Sequence, residues 1–315
     1  MSTKNVRIEW VDVARGIAIL LVVLGHCIGY LDDPGNRFIL SFHMPLFFFI
    51  SGFCVKQSSN EKCLEFIKKK CKTLLIPQFT LGIFNCIGAI VTPNWGGAVN
   101  NFLGWFLLVL FYVTLIFYFL QKVLSKKSKN IIIMGLIINV ILILIMDVLR
   151  VNTKLHFEII PMAFLFYYSG YIAKNLTNIK KLQQIWIFMI PIVVIISYWN
   201  KPVKMYDNSY GNLILFFIGA FCGIIMICEL SKALEKNQIL SWFGKNSIIV
   251  YVTHFIMIKT LHFIGKKIIP GVSECNYLYP ANWHYFLLIV LLMVPIIYIC
   301  NRWFYVLFGK KKVNY

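Results

Sequence analysis

Apolar residues run through this chain in ten long stretches that are separated by short polar segments. Most stretches are about as long as an α-helix must be to cross the hydrocarbon core of a bilayer. The predicted spans are 13–30, 38–55, 74–92, 102–121, 131–149, 157–173, 185–199, 212–229, 247–264 and 284–308. The pattern predicts an all-α, polytopic membrane bundle of about ten transmembrane helices, with both termini on one side.

The composition supports a membrane protein, because 59% of the 315 residues are hydrophobic and only 14% are charged. So few charges do not suit a water-exposed surface. The polar segments are too short to form a soluble domain, so residues 1–315 are expected to form a single membrane domain. Nucleic-acid binding is excluded for the same reason, despite a formal net charge of +19.

Basic residues are divided unevenly between the two sets of connecting segments. The set that includes both termini carries 21 Lys and Arg, whereas the alternating set carries seven. Cytoplasmic loops of membrane proteins hold the excess of these residues. The asymmetry therefore predicts a multi-pass protein of the cell membrane with both termini in the cytoplasm.

Two ionisable side chains, Arg15 and His26, lie inside the first predicted span. Ionisable groups are expensive at that depth and commonly mark functional sites. A helix places the two on one face, about 16 Å apart along its axis. Asp12 lies one turn before Arg15 and is expected to pair with it. This face is predicted to receive an anionic ligand at one end and to present an imidazole at the other.

Two further histidines inside predicted spans, His43 and His254, are candidates for the site. His43 is expected at about the depth of His26 and could face it, and His254 lies near the middle of the ninth span. Imidazole is the side chain best suited to take a proton from a hydroxyl near neutral pH. Each ring has an alternative role as a structural group that hydrogen-bonds a neighbouring helix, and the sequence leaves both roles open.

The sequence offers few other residues that are candidates for catalysis or metal binding. Asp147 and Glu158 flank the loop after the fifth span, where they would orient a histidine or a sugar hydroxyl, or simply form a solvated rim. The nine cysteines include no C-x-x-C pair, so no metal site is predicted.

Two motifs surround these residues. Trp10–His26 contains an Arg-x10-His spacing, and residues 42–53 read FHMPLFFFISGF, which includes Ser51. Further matches are LLIP at 74–77, WFL at 105–107, YSG at 168–170 and FGKNS at 243–247. Over residues 6 to about 256 the chain closely resembles the membrane acyltransferase-3 family, particularly its fucose 4-O-acetylase-like branch.

The resemblance implies transfer of an acyl group, usually acetyl from acetyl-CoA, to a hydroxyl of a cell-envelope saccharide or glycolipid. Arg15 and His26 match the family's essential pair, and His43 and Ser51 lie in its second motif. The sequence does not choose between His26 as general base and His26 as a carrier of the acetyl group. Neither the acceptor nor the oligomeric state is specified.

One departure from the family concerns the segment before the third span. Where many relatives have two arginines spaced Arg-x-x-Arg, this chain reads KKKCK at 68–72. Lys69, Lys70 and Lys72 are therefore candidates for binding the phosphates of CoA, although lysine lacks the bidentate fork of arginine. The bias of basic residues to cytoplasmic loops is an alternative explanation for the cluster.

A short internal echo also has two explanations. Residues 47–53 read FFFISGF and residues 165–171 read LFYYSGY. The echo indicates either a duplication or two helices that use small residues to cross closely.

A transporter or flippase for an envelope precursor is the rival class, since buried charges in a ten-helix bundle are natural there. Transporters usually keep carboxylates near the middle of the membrane. In this chain the deepest acids lie near the ends of the predicted spans, which favours an enzyme.

Overall fold

The computed structural model describes residues 7–28, 30–55, 62–91, 104–124, 129–175, 186–268 and 282–311. Within these ranges the fold is all-α. The helices are α1 (Glu9–Ile28), α2 (Pro34–Leu40), α3 (His43–Phe53), α4 (Cys63–Lys70), α5 (Ile76–Val91), α6 (Trp105–Leu124), α7 (Lys129–Leu149), α8 (Ile160–Asn175), α9 (Trp186–Trp199), α10 (Leu213–Ala233), α11 (Gln238–Lys245), α12 (Ser247–Ile268) and α13 (Asn282–Trp303).

Four stretches of helix in the described ranges are long and apolar enough to cross a membrane, namely Glu9–Ile28, Trp105–Lys122, Leu213–Ala233 and His284–Trp303. Several outward faces are apolar as well, and on α7 the exposed side chains include Ile137, Ile141 and Leu144. Such faces are expected where lipid rather than water surrounds a bundle. The prediction of an all-α membrane protein is confirmed, while the count of ten spans and the cytoplasmic termini remain predictions.

The predicted second span, 38–55, is wrong as a continuous helix, because α2 ends at Leu40 and α3 begins at His43. Pro45 explains the break. It has no amide hydrogen to donate to the carbonyl of Ser41, and its ring would clash with that carbonyl in an unbroken helix. The His43 Nδ1 lies 2.8 Å from the Ile39 carbonyl oxygen and so links the two pieces.

Two other predicted boundaries also differ from the structure. The last span was predicted to reach residue 308, but α13 ends at Trp303 and a 3₁₀ helix, Tyr305–Phe308, follows it. A π-helical segment, Cys71–Leu75, joins α4 to α5, so the third span begins inside a longer helical run. The 3₁₀ helix ends with Phe308 in the interior of the bundle, where it is 1% exposed.

The sequence echo at residues 47–53 and 165–171 is explained by close helix crossing. Gly52 on α3 packs against the backbone of Tyr167, and Gly170 on α8 packs against the backbone of Phe49. A Cβ atom at either glycine would overlap with the facing carbonyl oxygen. The two echo segments therefore lie against each other, as the interpretation based on small residues predicted.

A second glycine crossing joins α1 to α11, a helix that begins at the Asn237 cap, whose side chain accepts from the Leu240 amide at 3.0 Å. A Cβ at Gly16 would overlap with the Leu240 carbonyl, and one at Gly244 would overlap with the Asp12 carbonyl. This approach holds α11 against the first half of α1.

Gly52→Ala should destabilise the protein, because the new methyl group must displace the backbone of α8. The expected cost is on the order of 1–3 kcal/mol. Gly135→Ala is the matched control, since no atom lies within 4 Å of a Cβ at that position. Thermal unfolding of both purified variants measures the difference, and equal midpoints would show that the crossing is not close.

Candidate active site

A cavity of about 1030 Å³ runs along α1 through the middle of the bundle. Its wall also includes residues from α2, α3, α5, α6, α11 and α12, residues 308–310, and residues of the connecting segments such as His156 and Tyr206. Most of the wall is apolar, and the polar side chains gather in two places. The volume is at the upper end of what small-molecule sites in proteins enclose, so a substrate of cofactor size fits.

The first place, termed the basic end, is defined by Arg7, Arg15, Lys245 and Lys310, all of which line the cavity. Asp12 lies behind them and is buried, with 3% of its surface exposed. The predicted ion pair is present, since the Arg15 Nη1 lies 3.8 Å from an Asp12 carboxylate oxygen. Arg7 also binds this carboxylate, with its Nη2 at 3.2 Å.

The charges at the basic end do not balance. Four cationic side chains line it, while none of the described residues lining the cavity is acidic. The Asp12 carboxylate is already shared by Arg7 and Arg15. A cavity with this surplus of positive charge attracts an anionic ligand.

The second place, termed the histidine end, is defined by His26, His43 and His254, which come from α1, α3 and α12. The His26 and His254 rings lie 5.1 Å apart between centroids. The structure thus brings His254, rather than His43, closest to His26 among the described rings. All three side chains line the same cavity, as a shared catalytic site requires.

The hydrogen bonds of two of these rings fix their tautomers. The Nδ1 of His254 lies 3.0 Å from the Val250 carbonyl oxygen, and the Nδ1 of His43 lies 2.8 Å from that of Ile39. A carbonyl oxygen only accepts, so in each ring Nδ1 carries the hydrogen and Nε2 keeps its lone pair. The Nε2 of His254 is buried and has no hydrogen-bond partner among the described residues.

His26 differs from these two rings because its side chain is exposed, although it lies within the bundle. The exposure is to the cavity that it lines. Within the described residues, His26 contacts the rings of His254 and Phe255 and makes no hydrogen bond. Its ring is therefore open to a substrate that enters the cavity.

A fourth histidine, His156, lines the cavity near Tyr206 and was not a candidate from the sequence. Its backbone is left-handed, with φ of 56°, which is uncommon for a residue other than glycine. Its Nδ1 lies 3.7 Å from Glu158 Oε1. Burial lowers the pKa of His156 below its ordinary value, so the neutral ring is favoured at pH 7.

Glu158 is buried rather than part of a solvated rim, with 2% of its surface exposed. Its Oε2 accepts hydrogen bonds from the backbone amide of Thr153 at 3.2 Å and from the Thr153 hydroxyl at 2.6 Å. Neither the Glu158 Oε1 nor the His156 Nδ1 has a hydrogen-bond partner among the described residues, so a role for this carboxylate in orienting a histidine stays a prediction. Asp147, in contrast, pairs with Arg150 at 3.7 Å.

The remaining sequence candidates lie in different surroundings. Ser51 lines the cavity, and its hydroxyl donates to the Phe47 carbonyl at 2.7 Å. Lys69 and Lys72 are exposed, and the Lys70 Nζ lies 5.4 Å from the centre of the Phe66 ring. None of these three lysines lines the cavity as the structure describes it.

Sequence reasoning missed Arg7, Lys245, Lys310 and His156. A signal existed for Lys245, which lies in the FGKNS motif at 243–247. Lys310 begins a run of three lysines after an apolar span, a pattern that topology alone explains. His156 lies in a loop beside an acid, and nothing in its local pattern separates it from a surface histidine.

A cavity with cations at one end and imidazoles at the other is suited to an anionic donor and to proton transfer. The acyltransferase domain family, Acyl_transf_3, matches residues 8–302. The chain belongs to this family and is an acyltransferase with apolar helices suited to a membrane. This membership does not favour the transporter or flippase alternative.

No curated protein and no solved structure matches the chain. Within the described residues, no group of three or more His, Cys, Asp and Glu is arranged to hold a metal ion.

Proposed function

We propose that the protein transfers an acetyl group from acetyl-CoA to a hydroxyl of a cell-envelope saccharide, as expected for the fucose 4-O-acetylase-like branch. The observation that carries the proposal is the single cavity that joins the basic end to the histidine end. The excess of Lys and Arg in the segments that include the termini supports a cytoplasmic position for the basic end. The donor then enters from the cytoplasm, where acetyl-CoA is made.

In this proposal Arg15 binds a phosphate of CoA and the pantetheine arm lies along α1. The offset of about 16 Å between Arg15 and His26 lets the thioester reach the histidine end while the nucleotide stays at the basic end. The saccharide approaches from the opposite side, where His156 and the 41% exposed ring of Tyr206 lie. An aromatic ring in this position is suited to stack on a sugar.

His26 acts as the general base on the acceptor hydroxyl. Its imidazole takes the hydroxyl proton while the oxygen attacks the thioester carbonyl. The carbon–sulfur bond then breaks, and the CoA thiolate leaves and is protonated to the free thiol. His254 and His43 line the same cavity, and in this proposal their Nε2 atoms accept hydrogen bonds from hydroxyl groups of the saccharide.

Replacing His26 by alanine or by glutamine should lower transfer by about 10² to 10⁴, the usual contribution of a general base. Release of free thiol from acetyl-CoA, with alkali-deacetylated envelope polysaccharide as acceptor, measures the effect in purified protein. The matched control is His284→Gln, since His284 is exposed and does not line the cavity. Full transfer by either His26 variant would remove this residue from the mechanism.

Arg15→Lys should raise the KM for acetyl-CoA by roughly tenfold, because a planar fork that binds phosphate twice is replaced by a point charge. The KM for the polysaccharide should stay unchanged. Steady-state kinetics with each substrate varied in turn measures the two KM values separately. A rise in the polysaccharide KM alone would place Arg15 in the acceptor site or in a structural role.

A further inference from the structure

The residues after α13 form a strap, defined here as residues 304–311, that returns to the cavity. The Thr80 hydroxyl donates to the Leu307 carbonyl at 2.9 Å, which ties the strap to α5. Phe308 is 1% exposed, and Gly309 follows with a left-handed φ of 64°. This turn, which favours glycine, brings Lys310 to the basic end.

Lys310 is held there by two neutral amides. Its Nζ donates to Asn246 Oδ1 at 2.5 Å and to Asn301 Oδ1 at 2.9 Å. The Asn301 Nδ2 donates to Asn246 Oδ1 at 2.8 Å, so the cradle is itself cross-linked. An ammonium group has three N–H donors. Two are used by the cradle, and the third is left for the cavity.

No carboxylate in the described residues pairs with Lys310, although its side chain is half-buried. Buried charges in proteins are normally paired with an opposite charge. Asn246 and Asn301 orient the ammonium group without neutralising it. Within the described residues this ammonium group has no counter-charge, and a phosphate group of a ligand would supply one.

We propose that Lys310, oriented by Asn246 and Asn301, binds a phosphate group of the acyl donor, so that the C-terminal strap makes the enzyme select a donor that carries a nucleotide. The inference rests on the proposed function and assigns a donor contact to the strap rather than to Lys69, Lys70 or Lys72. A phosphate of a lipid headgroup has the same chemistry and is the competing source that the test separates.

The direct test is the binding of 3′,5′-ADP, the nucleotide end of CoA, to the full chain in phosphatidylcholine nanodiscs at pH 7. Lys310→Met should weaken binding at least about tenfold, the effect of losing a charge-assisted hydrogen bond. Lys311→Met is the matched control, because the neighbouring lysine is exposed and does not line the cavity. Lys311→Met should change the affinity for 3′,5′-ADP less than twofold, and both variants should keep the unfolding midpoint of the wild type.

The pH dependence of 3′,5′-ADP binding is an independent test of the role of Lys310. Burial, together with the charge of Arg7, lowers the pKa of Lys310 to about 8, while Cys300 acts in the opposite direction. The ammonium form, which binds phosphate, is present below this value and is lost as the pH rises through it. Binding of 3′,5′-ADP to the wild type should weaken between pH 7 and pH 9, and in Lys310→Arg it should not.

The proposal would be overturned if the wild type did not bind 3′,5′-ADP or if Lys310→Met bound it equally well. It would also be overturned if phosphatidylglycerol in the nanodisc displaced bound 3′,5′-ADP but acetyl-CoA did not. Turnover distinguishes this failure from failure of the proposed function. Lys310→Met should raise the KM for acetyl-CoA but not for S-acetylpantetheine, which has no phosphate. If the nucleotide binds as expected but neither donor is consumed, the phosphate site stands and the proposed function falls.

Discussion

The shortage of negative charge at the basic end is the constraint on which the rest of the site depends. Asp12 is buried and already serves Arg7 and Arg15, so its carboxylate cannot also balance Lys245 and Lys310. Arg15 and Lys310 are partly buried, whereas Arg7 and Lys245 are exposed, and partly buried charge is costly without a counter-charge. The excess of positive charge at the basic end suits the binding of an anionic ligand. In the orientation that the charge asymmetry predicts, this end faces the cytoplasm.

Close helix crossings hold these groups in register. Gly16 and Gly244 let α11, which ends at Lys245, touch the backbone of α1. Gly52 and Gly170 bring the backbones of α3 and α8 equally close. Because lipid supplies no hydrophobic drive for helix association, such packing must come from backbone proximity and contact. The crossing at Gly16 and Gly244 therefore holds α11, which carries Lys245, against α1, which carries Arg15 and His26.

The features that the sequence revealed were local. The spacing of Arg15 and His26 follows from helix geometry, and the Asp12 pair follows from one helical turn. Each of these depends on residues that are close together along the chain.

The features that the sequence did not reveal depend on contacts between distant segments. His254 meets His26 across more than two hundred residues, and Lys310 reaches the cavity only because the strap turns at Gly309. Glu158 looked like a rim carboxylate because it lies at the end of a predicted span, near water, yet its surroundings in the fold bury it. Hydropathy cannot distinguish a lysine that marks topology from one that enters a site, since both follow an apolar span.

The central claim is that the donor enters the cavity from the cytoplasm and that the acetyl group leaves on the other side. Sealed membrane vesicles of defined orientation test it directly, with acetyl-CoA labelled in the acetyl group and supplied only outside. Inside-out vesicles should incorporate label into polysaccharide within their lumen, whereas right-side-out vesicles should incorporate none. Incorporation by right-side-out vesicles, or label confined to the side where acetyl-CoA was supplied, would contradict the account.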